Sequence, residues 1–145
     1  MLYNAFTFSS RQIKIEPIEQ TKVDESAIDR FQKALTFPTV SYQTKVDTAA
    51  FLDLDTFIRE NYPLIDSQLK KETVNGLSHI FKWQGKNTKL APVLLMAHMD
   101  VVPVEEGSLE SWTESPFEGK IKDDFIWGRG TMDDKFSGFT ILEAV

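Results

Sequence analysis

Leu90-Ala91-Pro92-Val93-Leu94-Leu95-Met96-Ala97-His98-Met99-Asp100 decides the fold class. From Leu90 to Ala97 every residue is apolar, so both faces of an extended segment would be greasy, the pattern of a central strand covered on both sides by helices. The run is far short of the roughly 20 residues that a membrane-spanning helix needs. It turns polar at His98, and the i, i+2 spacing keeps the side chains of His98 and Asp100 on one side while the strand persists. Ligand sites in open α/β sheets gather at the carboxyl ends of such strands. The reading is an α/β fold with a candidate site at this strand end.

Upstream, Asp24 is placed to cap a helix in which Ala27, Ile28, Phe31, Ala34 and Leu35 recur at helical spacing until Phe37-Pro38 stops them. Asp47 can cap a second, with Ala50, Phe51, Leu54, Phe57 and Ile58 on one stripe before Tyr62-Pro63. The period then changes. Leu69 to Val74 and Leu77 to Trp83 flank Asn75-Gly76, a two-residue hairpin signal, and put His79, Phe81 and Trp83 on one face. Downstream, a polar loop from Glu105 to Ser115 precedes a short hairpin, Gly119 to Lys122 and Phe125 to Trp127, turning at Asp123-Asp124. A helix beyond Asp134 offers Phe136, Phe139, Thr140, Ile141 and Leu142 for burial. Residues 1–19 read as an extended arm without the basic start and apolar core of a secretory signal, and 20–145 as one domain.

Composition narrows the function. The 145 residues, 41% hydrophobic and 26% charged, are those of an ordinary globular chain. Sixteen basic against 22 acidic residues leave a net charge of −6 without a dense Lys/Arg cluster, which argues against nucleic acid as a partner. With no cysteine, disulfides, thiol catalysis and cysteine-based zinc sites are excluded, so any metal site must use Asp, Glu and the two histidines, His79 and His98.

A metal-binding imidazole needs a carboxylate on its other ring nitrogen to set tautomer and orientation, and Asp100 is spaced to be that carboxylate. Alone, His-x-Asp also fits a hydrogen-bonded histidine at a strand end. The second cluster is Gly128-Arg129-Gly130-Thr131-Met132-Asp133-Asp134-Lys135. Adjacent acids at a helix start are favoured by the helix dipole. That does not explain the glycines bracketing Arg129, or the recurrence of acid 35 positions after a strand-end histidine. Arg129 could orient a substrate carboxylate or pair with a nearby acid, and the structural pair is preferred. Trp112, Pro116 and Phe117 could wall a cleft or anchor their loop.

Together, Leu94 to Pro103, Trp112 with Pro116-Phe117, and Asp124 to Lys135 resemble the co-catalytic zinc metallopeptidase family that includes carboxypeptidase S, aminoacylase, glutamate carboxypeptidase and succinyl-diaminopimelate desuccinylase. Phe37 to Ser41 and Ser78 to Gly85 look like the carboxypeptidase S and N-acyl-amino-acid hydrolase branch, and the resemblance covers about residues 20 to 145.

It implies the N-terminal part of a catalytic domain, a mixed sheet flanked by helices. It implies His98 as ligand of one zinc, Asp100 as the carboxylate holding that imidazole in the catalytic apparatus, and Asp133 as the aspartate bridging two zinc ions. Asp134 and Arg129 would be supporting residues, and the Asp133–Asp134 peptide bond would be cis. The implied reaction is metal-assisted hydrolysis of a small peptide or N-acyl amino acid, with cobalt or manganese as substitutes for zinc. In this pattern the general-base glutamate, the remaining acidic ligands and a late histidine fall downstream of the region matching Val145. Weak metal binding and no turnover are therefore expected of these 145 residues alone. Glu143 reads as a surface residue and His79 as a structural histidine. Two rivals stand beside this reading. One is a non-catalytic metal-binding or interaction module; the other is a different dinuclear metallohydrolase, which would call for further His/Asp clusters. Compartment and oligomeric state are left open, and an anchored or exported parent fits the branch.

Overall fold

The two aspartates placed as caps start helices. Asp24 accepts from Ser26 N at the head of α1 (Glu25–Leu35), and Asp47 accepts from Ala49 N at the head of α2 (Thr48–Asn61). Each takes up an amide that the first helical turn leaves unpaired. Pro63 ends α2 and opens a further short helix, α3 (Pro63–Gln68), which the helical periodicity does not announce. Proline at the first helical position loses no hydrogen bond, so one residue both stops and starts a helix. The computed structural model describes residues 12–19, 22–42 and 46–145. The start of the arm lies outside these, and residues 12–19 carry neither helix nor strand.

Two antiparallel hairpins follow. β1 (Lys70–Val74) pairs with β2 (Ser78–Lys82) around Asn75 and Gly76, both at positive φ (50° and 78°), the turn that the dipeptide indicated. β3 (Lys120–Lys122) pairs with β4 (Phe125–Trp127) around Asp123 and Asp124, also at positive φ (53° and 62°). His79 and Phe81 are half-buried on β2, whereas Trp83 lies beyond its end and is exposed. A last helix, α4 (Lys135–Ala144), completes the α/β arrangement.

The core lies among the helices. Phe31, Ala34 and Leu35 of α1 meet Leu54 and Ile58 of α2, Tyr62, Ile65 of α3 and Phe139 of α4. Phe139 sits at the centre of the aromatic contacts, 6.1 Å from the Tyr62 ring and 6.3 Å from that of Phe57. Those of α1 and α2 fall on the stripes that the helical period marked and Phe139 was among the candidates for burial, whereas Tyr62 and Ile65 were not marked. Of the α4 candidates, Phe139 is buried, while Phe136 is exposed with its ring edge on Phe31.

The Leu90–Ala97 segment departs from expectation. It forms no strand, and Val93 and Met96 are 85% and 75% exposed. An apolar strand is held by ladder partners on its edges and helices over its faces. Among the described residues no ladder partner pairs with it, and α4 approaches it at Ala97, whose Cβ lies 3.5 Å from where one on Gly138 would sit. Pairing begins only after His98, where Val101 bridges Val40 in parallel. Among the described residues the mixed sheet is therefore represented by two antiparallel ribbons, this parallel bridge and an antiparallel bridge of Ser41 with Val46.

Glu143 is exposed, as expected of a surface residue, and is also tied down. Arg30 donates to both its oxygens (2.7 and 2.6 Å), and the Tyr62 hydroxyl donates to Oε1 as well. The Arg30 guanidinium holds the Glu143 carboxyl below its ordinary 4.5. Burial, then the neighbouring carboxylate, pushes the Tyr62 hydroxyl up. A lowered carboxylate pKa contributes stability that is complete above the unfolded value and lost as pH falls through the folded one. Glu143→Gln is therefore expected to cost about 1–2 kcal/mol at pH 7. It should also flatten the loss of stability on acidification below 4.5. Urea midpoints at pH 7 and pH 4 check this, and equal slopes in both proteins would contradict it.

Candidate metal centre

Three segments converge at His98. The first is the chain leaving the exposed apolar stretch, His98-Met99-Asp100. Asp100 turns back on the imidazole with its carbonyl oxygen 3.0 Å and its carboxylate Oδ1 3.1 Å from Nδ1. Both are acceptors, so they favour a proton on Nδ1 and leave Nε2 as the outward donor atom. The second is the turn before α4. Asp133 Oδ1 lies 2.8 Å from His98 Nε2, and His98 N donates to Asp134 Oδ2 at 3.4 Å. The Asp133–Asp134 peptide bond is cis, as the resemblance implied. The third is Phe37 to Ser41, whose Ser41 hydroxyl donates to Asp100 Oδ2.

The turn is shaped by Gly130. At φ +90° it occupies a region closed to most residues, and a Cβ there would sit 2.9 Å from Val101 Cγ1 and 3.3 Å from Lys135 Cδ. The missing side chain lets the Lys135 stem pass. Lys135 is buried, and its Nζ donates to Ala34 O (3.0 Å) and Phe37 O (2.6 Å) at the end of α1. Burial pulls its pKa down to about 8. Asp134 precedes α4 without capping it through its side chain.

Burial lowers the His98 pKa, but Asp100 and Asp133 outweigh it, and the net direction is upward from 6.5. Asp133 is 84% exposed at its side chain, so its second oxygen is open to a ligand. One imidazole nitrogen and one carboxylate make a donor set that suits zinc. A catalytic zinc takes three protein ligands and an open position. Among the described residues no group of three or more His, Cys, Asp or Glu could hold an ion, so the residues fit half of a site.

Arg129 corrects the preferred structural pairing. It makes no ion pair among the described residues; its guanidinium stacks 5.0 Å over the Trp112 ring, and Nε is buried without a hydrogen-bond partner. Stacking on an indole takes the place of a carboxylate. Trp112 also lines an open groove of about 430 Å³ with Phe125, Trp127 and Thr131, while Pro116 is buried and accepts from Arg129 N at 2.6 Å. Loop anchor and groove wall are thus both realised. His79 stands apart from the site, its Nε2 2.9 Å from Asp55 Oδ1 and its Nδ1 3.3 Å from the Thr73 hydroxyl, as befits a structural histidine. Sequence reasoning missed the roles of Ser41 and Lys135. Ser41 lies 59 positions before the carboxylate it touches, and no spacing rule links them.

The profile of peptidase family M20/M25/M40 matches residues 94–145, the span that holds His98, Asp100 and Asp133. Similar curated proteins extend the match across the chain. "Probable carboxypeptidase S-like 2" of Dictyostelium discoideum is 35% identical over all of this chain and 30% of its own length. The chain belongs to the M20/M25/M40 peptidase family. Carboxypeptidase S of Saccharomyces cerevisiae is 38% identical over 83% of this chain and 22% of its own length. The human N-fatty-acyl-amino acid synthase/hydrolase PM20D1 is 38% identical over 89% of this chain and 26% of its own length. Membership of M20/M25/M40 places the chain in a hydrolase family, and the chain spans between about a fifth and a third of these relatives' length.

Proposed function

We propose that this chain supplies one half of a dinuclear zinc centre that hydrolyses the amide bond of a small peptide or an N-acyl amino acid. The observation that carries the reading is His98, steadied at Nδ1 by Asp100 and facing Asp133 through Nε2 at 2.8 Å. His98 Nε2 would ligate one ion, Asp133 would serve both, and Asp100 would hold the imidazole. Bound zinc would supply Lewis-acid polarisation of the scissile carbonyl and a water of lowered pKa. Asp134, bonded to His98 N, keeps the turn against the histidine segment. The relatives named for carboxypeptidase and for N-fatty-acyl-amino acid hydrolysis support the substrate class.

Two donors cannot complete the shells of two ions. For the 145-residue chain the expected result is weak zinc binding and no hydrolysis of an N-acyl amino acid. His98→Ala or Asp133→Ala should lower the zinc affinity by about tenfold or more. Zinc titration calorimetry, paired with an assay of N-acyl amino acid cleavage, checks both statements. Tight binding of two ions with turnover would overturn the half-site reading, and zinc affinity indifferent to His98 would remove the metal role from these residues.

A further inference from the structure

Asp100 has two carboxylate oxygens, and each has its own partner. Oδ1 faces His98 Nδ1 at 3.1 Å, and Oδ2 accepts the hydroxyl of Ser41. The segment that delivers Ser41 is held independently of that hydroxyl. Thr39 is fully buried and its Oγ1 donates to Met99 O at 2.6 Å. Val101 N donates to Thr39 O at 2.9 Å and Ser41 N donates to Val101 O at 3.2 Å, forming the parallel bridge of Val40 with Val101. The backbone and Thr39 therefore fasten this strap to residues 99–101. The Ser41 hydroxyl is not needed for that, and it bonds instead to the carboxylate that orients the histidine.

We propose that Ser41 is a positioning residue of the metal centre: its hydroxyl fixes the rotation of the Asp100 carboxylate, and through it the plane and tautomer of His98. The inference rests on the metal reading of His98 above. The physical need is clear from exposure. The side chains of His98 and Asp100 are 49% and 44% exposed, so packing alone does not immobilise them. A carboxylate free to turn gives Oδ1 to water part of the time, leaving the Asp100 carbonyl as the remaining restraint on Nδ1. Partners of metal-binding histidines set ligand basicity and orientation. Ser41 acts one bond further out, so a smaller effect than loss of Asp100 itself follows.

The test is zinc affinity of the full chain, with zinc alone as probe, by calorimetry or chelator competition, alongside melting temperatures. Ser41→Ala is expected to weaken zinc binding by about three- to tenfold, less than the full worth of a hydrogen bond to a charged group because Ser41 acts through Asp100. Ser41→Thr, which keeps the hydroxyl, should retain most of the affinity. In an Asp100→Ala background, Ser41→Ala should add less than about a twofold change, because a residue acting through the Asp100 carboxylate has nothing left to position. A merely structural serine would weaken binding equally in both backgrounds, in step with melting temperature, and that result would overturn the proposal. So would an unchanged affinity in Ser41→Ala while His98→Ala abolishes binding. If His98→Ala leaves zinc binding intact, the metal reading itself fails, and the Ser41 role falls with it.

Discussion

Leu35→Ala is expected to lower the stability of this chain by about 2–5 kcal/mol, the usual cost of emptying a fully buried leucine site. Leu35 is 0% exposed at the end of α1 and packs in the cluster that joins α1, α2, α3 and α4. It also reaches the site. Leu35 Cδ1 is 3.5 Å from where a Cβ on Gly128 would lie, so the leucine supports the turn that carries Arg129, Gly130 and Asp133. The cavity would open beneath that turn as well as inside the helix cluster. Leu52 of α2, 52% exposed, is the control, and its alanine variant should stay within about 0.5 kcal/mol of the parent. Urea denaturation of the three proteins decides the matter. Equal midpoints for Leu35→Ala and the parent would mean that the helix cluster is not the stabilising core.

Gly119→Ala should be of similar size for a different reason. Gly119 has φ +62°, and a Cβ there would lie 2.3 Å from the carbonyl oxygen of Gln32. The obstacle is backbone of α1, which cannot swing aside as the end of a side chain can. The left-handed conformation costs an L-residue about 1–2 kcal/mol, and relief of the overlap adds about 1–3 kcal/mol. Together they amount to about 2–5 kcal/mol. Gly107 separates the two contributions, since it has φ +80° and an added Cβ would meet nothing within 4 Å. Gly107→Ala should show the conformational part alone, about 1–2 kcal/mol. If the two variants melt together, the β3–β4 hairpin does not pack closely on α1.

Local chemistry is well legible in the residues. Asp24 and Asp47 cap helices because a short carboxylate satisfies amides two positions away, and Asn75-Gly76 turns a hairpin because both residues accept positive φ. These interactions span two to four positions and leave a mark in the order of residues. Pro63 reads as a stop and is also a start, because the ring that cannot continue α2 is already shaped for the first turn of α3.

What is not legible involves distant partners. Arg129 carries the same sequence whether it meets an acid or an indole, and only the path of the 105–118 loop lays Trp112 beneath it. Glu143 reads as a solvent-facing acid on a helix, and only the fold brings Arg30 of α1 and Tyr62, at the junction of α2 and α3, alongside it. The apolar run at Leu90–Ala97 states what the segment is able to bury. Burial itself depends on neighbouring strands and covering helices, and among the described residues Leu90 and Val93 to Met96 stay exposed while α4 meets the segment at Ala97.

The sequence by itself determined the helix caps, the hairpin turns, the apolar stripes of α1 and α2, and the residues His98, Asp100 and Asp133 as the chemical candidates. The caps, turns and stripes are matters of residue type and short spacing, and the three candidates rest on the resemblance of their motifs to the zinc metallopeptidase family. Only the tertiary structure decided that Asp133 lies against His98 Nε2, that Lys135 runs past Gly130 to the end of α1, and that Ser41 holds Asp100. These contacts join residues 35, 101 and 59 positions apart. Their existence depends on how helices pack and chains cross, and hydrophobic packing selects that arrangement without writing it into any local pattern.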